Sequence, residues 1–295
     1  MAIITSRAPV RIDFAGGWTD VDIFAKGAGG AVLNAAIDKY VTGTLETRDD
    51  PNGDSQGITI SYQSQLPAGS GLGTSSALNV VWLSLVKTKI TNSEDRKKIA
   101  CLAYELEAIL GILGGKQDQY ASAMGGINFM TFGEKVEVEP LNVPAKVLKE
   151  LEARLVLCYT GKSRLSGNIH ENVWGAYRRG APETVDALFT LRNVAFSMRY
   201  VLLLGRLNEF AELMNENWAA QKKLDASITN DQIETLFEET FKHGAVGGKA
   251  CGAGGGGCVL FFAEQGRRAD VEQAIEKLGS HIIPFKFEFA GLQIT

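Results

Sequence analysis

The segment Pro67-Ala-Gly-Ser-Gly-Leu-Gly-Thr-Ser-Ser-Ala77 runs glycines and hydroxyls straight into an apolar stretch. Glycine lets backbone amides curl closely round an anion, a helix start adds partial positive charge, and a Ser or Thr hydroxyl can reach a metal held by phosphates. A phosphate cradle is the chemistry this predicts, although alone the segment also reads as a glycine turn capped by Thr74 or Ser75. It is not a Walker A loop: no Lys follows these glycines, and Gly248-Lys249-Ala250 lacks both the spacing and the metal-binding hydroxyl. A second cluster, Gly247 to Cys258, contains Gly-x-Gly-x-x-Gly at residues 252–257 but leads into the strand-like Cys258-Val-Leu-Phe-Phe262. That order is wrong for a dinucleotide fingerprint and fits a loop packed against another loop or a phosphate. Two further segments carry acids among glycines. Arg7 to Asp20 joins a strand pattern to Gly16, Gly17 and Trp18, and Gly114 to Gly126 places Asp118 just after a glycine stop.

Elements must position these groups. Short β-branched runs at Ala31–Ile37, Tyr40–Leu45 and Ile58–Tyr62 predict strands. Two helices are expected to follow. Ser75–Ile90 is apolar nearly all round, and Glu94–Leu113 places Ile99, Leu102, Ala103, Leu106, Leu110 and Leu113 at helical spacing, stopped by Gly114 and Gly115. Glu107 lies one turn from Ala103 and Leu110, so its carboxylate faces the apolar side and needs a partner, whether a metal or an ion pair with Lys116. After Gly125 and Gly126 comes a strand at Ile127–Phe132, and the polar residues 140–153, with Pro140 and Pro144, predict a domain junction. Strands at Arg154–Tyr159, Cys258–Ala263 and Ile282–Phe289, with helices at 182–204, 206–221, 229–242 and 267–278, complete an α+β chain of two lobes.

Bulk properties narrow the function. A net charge of −4 and a pI near 5.6 leave no broad electropositive surface, which disfavours nucleic acid as a partner. Arg7, Arg11 and Asp13 stand where a signal peptide needs an apolar core, and no stretch reaches the ~18 apolar residues of a membrane span. A cytoplasmic protein without membrane contact is expected. The four cysteines form no close-spaced pairs and the three histidines are far apart, so the thiols are read as reduced and mostly structural.

Taken together the motifs resemble the GHMP kinases, the family of galactokinase, homoserine kinase and mevalonate kinase. A Pro-x-Arg strand, a GLGSS-type loop and a C-terminal glycine-rich segment occur in the family's order and frame nearly the whole chain. RAPVRIDFAGGWTD (7–20), GGAVLNAAIDKYV (29–41), GSGLGTSSAL (69–78), GGKQDQYASAMGG (114–126) and GGKACGAGGGGCVLFF (247–262) are similar to the bacterial heptose 7-phosphate 1-kinase and fucokinase branches. The resemblance implies a two-lobed fold. A ribosomal S5 domain 2-like, ATP-binding lobe would span residues 1–150, and a ferredoxin-like lobe residues 151–295.

It also implies an ATP- and magnesium-dependent sugar kinase acting on the anomeric hydroxyl of a heptose 7-phosphate-like or fucose-like substrate. The alternatives are a catalytically idle sugar and nucleotide sensor, or a mevalonate-type kinase. Where galactokinases carry Glu-His before Thr-Asp this chain has Gly17 and Trp18, which argues against galactose. By motif position Asp118 resembles the catalytic carboxylate and Arg11 the basic residue of the first motif, against plain readings as a helix cap and a surface ion pair. Pro67, Gly69, Ser70, Gly71, Leu72, Gly73, Thr74, Ser75 and Ser76 are implied to bind ATP, with Ser75 and Glu107 on the metal. The substrate side is implied to comprise Gly17, Trp18, Thr19, Asp20, Arg164, Gly254 and Gly255. Trp18 reads equally as a core residue, and Lys162 and Arg164 as solvated loop charges.

Overall fold

The computed structural model describes residues 2–49, 56–87, 90–112, 114–162 and 167–295. The first strand, β1 (Ala2–Ala15), buries Ala8, Val10, Ile12 and Phe14. Because strand side chains alternate, Arg11 and Asp13 share the opposite face. A short helix, α1 (Asp22–Ala28), leads to β2 (Gly30–Asp49), one strand of 20 residues where the sequence predicts two. The polar pair Asp38-Lys39 that suggests a turn is absorbed as a bulge opposite the Pro9/Val10 step of β1.

Then come β3 (Gln56–Ser64), α2 (Thr74–Val86), α3 (Ser93–Ile109), α4 (Gln117–Met124), β4 (Ile127–Phe132) and β5 (Val136–Pro140). The side chain of Asn92 caps α3 by accepting from the Asp95 amide at 3.0 Å. The helix ends at Ile109, before the expected stop, because the chain turns left-handed at Gly111 (φ 73°). Ile99 and Ala103 of its expected apolar face are buried, whereas Leu102 and Leu110 are exposed and Leu113 lies outside the described residues.

The expected junction falls on a helix. Pro140 ends β5, Pro144 precedes α5 (Ala145–Arg154), and Leu151 is buried, so residues 150 and 151 lie within this helix. Beyond lie β6 (Leu155–Tyr159), α6 (Gly167–Arg178), α7 (Pro182–Leu203), α8 (Leu207–Lys222), α9 (Asp231–Lys242), β7 (Ala245–Ala250), β8 (Cys258–Ala263), α10 (Arg268–Lys277), β9 (His281–Ile282) and β10 (Gln293–Ile294). The strand predicted at 282–289 shrinks to β9 and a single bridge from Phe287 to Ile37.

Two antiparallel sheets result. One runs β10-β1-β2-β4-β5, with β3 also on β2; the other runs β7-β8-β6-β9. Helices α2 and α4 lie on β1 and β2 with α3 behind them, while α7 packs on the first sheet and, through α8, reaches β7. One apolar cluster joins Val10 and Phe14 to Phe210, Leu260 and Phe262, so the core is continuous between the sheets. Among the described residues no helix is long and apolar enough to cross a membrane. All four cysteines are free thiols.

Candidate active site

The glycine turn before α2 lies at the seam between the sheets, where it interlocks with the β7–β8 hairpin. The Cys258 amide donates to the Ser70 carbonyl at 2.8 Å, and Gly257 at φ 77° lies so close that a Cβ there would meet the Ser70 oxygen at 2.6 Å. Loop packs against loop, as the second glycine cluster predicts. On the other side the Leu72 carbonyl accepts from the Arg11 amide at 3.0 Å and the Gly71 carbonyl from Arg11 Nη1 at 2.6 Å. The carbonyls are thus engaged. Among the described residues the amides of Gly71 to Ser76 have no acceptor, which is the chemistry of an anion cradle at a helix start.

Asp118, in the first turn of α4, reaches the same cleft. Its Oδ1 accepts from Arg11 Nε at 2.8 Å and faces Nη2 at 2.7 Å, which leaves Oδ2 without a partner among the described residues and close to Gly73. Burial pushes the Asp118 carboxyl above the ordinary aspartate value, and the Arg11 charge opposes that rise. The result is a carboxylate with one oxygen fixed and the other open to the cleft.

Glu107 is buried on α3. Its Oε1 accepts from Ser76 Oγ and Asn79 Nδ2, both at 2.9 Å, and its Oε2 from Gln119 Nε2 at 2.8 Å. All three donors are neutral. Lys116, the expected alternative partner, is instead 2.5 Å from Asp22. A buried carboxylate without a cationic partner beside unclaimed amides suits a divalent cation, and Ser75, exposed at the start of α2, lines the cleft nearby. Among the described residues no three His, Cys, Asp or Glu side chains converge as a metal cage, so the remaining ligands would have to be phosphate and water oxygens.

Asp20, Gly17 and Trp18 border the same cleft, with Trp18 itself buried in an apolar cluster. Asp20 Oδ2 accepts from the Gln117 amide at 2.9 Å, and only glycine fits at residue 115, where a Cβ would come within 1.9 Å of that oxygen. Burial raises the Asp20 carboxyl from 3.8 to about 6. A raised carboxyl favours the fold while protonated, and this contribution is lost as pH rises through about 6. Asp20→Asn is therefore expected to be more stable than the native protein at pH 7.5, by up to about 3 kcal/mol from that shift, with the gap closing toward pH 4. Urea melts at both pH values check this. An equal gap at the two would mean that the Asp20 charge is compensated in the fold.

Several expected ligands stand elsewhere. Pro67 is exposed outside the cleft, and Leu72 belongs to the core. The Thr19 hydroxyl is used internally, 2.8 Å from the Gly16 carbonyl and 3.1 Å from the Ala31 amide, in the turn that aims Asp20. Gly254 lines the cleft, but Gly255 turns away to donate to the Ile228 carbonyl at 2.6 Å. Arg164 lies outside the described residues, and Lys162 is exposed, with its carbonyl accepting from Gly257.

Two features escaped the sequence reading. Lys249, whose surroundings lack the Walker spacing, is fully buried and donates to Asp13 Oδ2 at 2.6 Å, while Asp13 Oδ1 accepts from the Gly252 amide at 3.1 Å. This pair ties β1 to the glycine hairpin two residues from Arg11. His170 on α6 also lines the cleft. Its signal was the spacing of His170, Trp174 and Tyr177 at i, i+4 and i+7, an aromatic stripe on one helix face.

An anion cradle, an arginine-held carboxylate and a cation-seeking glutamate across one cleft define a phosphotransferase. The family model described as the GHMP kinases N terminal domain matches residues 39–126, that of the GHMP kinases C terminal matches residues 198–281, and the chain belongs to the GHMP kinases. It is similar to the D-glycero-alpha-D-manno-heptose 7-phosphate kinase of Campylobacter jejuni, with 29% identity covering 99% of each chain. A bifunctional fucokinase/GDP-fucose pyrophosphorylase of Arabidopsis thaliana is 28% identical over 91% of this chain but only 31% of its own length. The crystal structure of a D-glycero-D-manno-heptose 1-phosphate kinase from Bacteroides thetaiotaomicron superposes with a TM-score of 0.76 at 26% identity, covering 99% of this chain and 98% of that one.

Proposed function

We propose that this chain is an ATP-dependent sugar kinase that phosphorylates the anomeric hydroxyl of a heptose phosphate-like or fucose-like sugar. The observation that carries the reading is Asp118, with Oδ1 held by Arg11 and Oδ2 open beside the unclaimed amides of the Gly71–Ser76 turn. ATP supplies the γ-phosphoryl group, and magnesium at Ser75 and Glu107 would neutralise charge on its phosphates. Asp118 Oδ2 orients the sugar hydroxyl and accepts its proton as the oxygen attacks. Arg11 keeps that carboxylate aimed and offers positive charge to the transferring group, while the glycine turn holds the phosphates in line. Asp20, beside Gln117 in the same cleft, binds sugar hydroxyls, and the relatives named for heptose phosphate and fucose support a sugar as the acceptor.

A panel of free and phosphorylated sugars with ATP and magnesium tests this. Sugar-dependent ADP release that stops on chelation of magnesium is expected for at least one member. Sugar binding without turnover would instead mark an idle sensor, and turnover of mevalonates alone an isoprenoid kinase.

A further inference from the structure

Trp18 is the one residue other than glycine with a left-handed backbone among those described, at φ 79°. A bulky side chain rarely adopts that conformation, and such strain persists only where the surroundings dictate it. Here the turn closed by Thr19 on Gly16 holds the backbone, and the ring is buried against His170, with centroids 4.4 Å apart and planes inclined at 31°. Trp174 backs both, 5.9 Å from the Trp18 ring. Its indole Nε1 lies 3.3 Å from His170 Nδ1. An indole nitrogen can only donate, so Nδ1 must be the acceptor and the imidazole proton sits on Nε2. Burial drives the His170 pKa down to about 4, consistent with a neutral ring at pH 7. Nε2–H has no partner among the described residues, and the residue borders the cleft beside Gly17, Trp18 and Asp20.

We propose that His170 is a specificity-determining residue of the sugar subsite, presenting Nε2–H to one sugar hydroxyl while the buried Trp18, stacked against it, holds the imidazole ring in place. The inference rests on the sugar-kinase reading but concerns binding alone. A donor fixed by Trp174 selects among sugars that differ at one hydroxyl, because an analogue lacking that oxygen leaves a desolvated N–H unpaired. Nothing in this role requires a charge.

His170→Phe keeps the stack and removes the donor; His170→Gln restores an N–H at similar reach. Sugar affinity is measured by calorimetry without ATP, beside the ADP-release assay. His170→Phe is expected to weaken binding of the preferred sugar and raise its KM by roughly 3- to 10-fold, with kcat and the KM for ATP within twofold of the native protein. His170→Gln should recover most of the loss, and for one monodeoxy analogue the native protein and His170→Phe should bind equally. Equal affinity of the native protein and His170→Phe for every sugar, or parallel loss of sugar and ATP affinity with falling thermal stability, overturns the proposal. Binding that depends on His170 without ADP release would leave it standing and sink the kinase reading, whereas turnover indifferent to His170 does the reverse.

Discussion

Asp118→Asn is expected to lower kcat for sugar-dependent ADP release by about 10²- to 10⁴-fold, the range carried by a positioned general base. Asparagine is nearly isosteric and can still accept from Arg11 through its one carbonyl oxygen, so folding and ATP affinity should change little. What disappears is the acceptor at Oδ2. The native enzyme should lose activity on the acid side as Asp118 takes up a proton, and at a higher pH than an ordinary aspartate would, because burial raises its carboxyl. That limb should be missing from the residual activity of the variant. Steady-state rates across pH, with thermal melts as a control on folding, provide the check. A loss smaller than tenfold would mean that the carboxylate only positions the hydroxyl.

Lys249→Met is expected to be among the most destabilising single changes in the protein, about 3–5 kcal/mol, since it leaves the Asp13 carboxylate buried without its cation. Asp13→Asn in the same chain should restore most of that loss, because removing both charges leaves no stranded ion. Denaturant melts of the two singles and the double give the coupling directly. Additive losses would show that the pair is not what the seam depends on.

The sequence reading succeeded where chemistry is local. The Gly69–Ser76 turn and the strands Ile127–Phe132 and Cys258–Ala263 follow from side-chain type, glycine placement and periodicity, whereas the grouping of Arg11, Glu107 and Asp118 in one cleft was implied only by the family resemblance. It failed where the deciding partner is distant in the chain. Lys249 meets Asp13 across 236 positions, so nothing near it distinguishes a buried ion pair from a stray lysine in a glycine loop. Ser75 and Ser76 look alike as letters, yet helix phase turns Ser76 onto Glu107 and leaves Ser75 facing the cleft. Leu102 and Leu110 fit the helical period but end exposed, Leu110 because α3 has already ended at Ile109. Asp38-Lys39 has the composition of a turn and the structure of a bulge, since the neighbouring β1 continues straight past it.

The hydrogen-bond ladder between residues 5–7 and 293–295 has a consequence for biogenesis. The Thr5 and Thr295 amides each donate to the other residue's carbonyl at 2.8 Å, beside the pairing of Ser6 with Ile294 and Arg7 with Gln293. As the polypeptide leaves the ribosome, β1 must wait with one flank uncovered until almost 290 residues more have been translated. So non-local a contact is expected to form late in folding, as hydrogen exchange at Thr5 and Ile294 during refolding would show, and the strand left waiting is the one that carries Arg11.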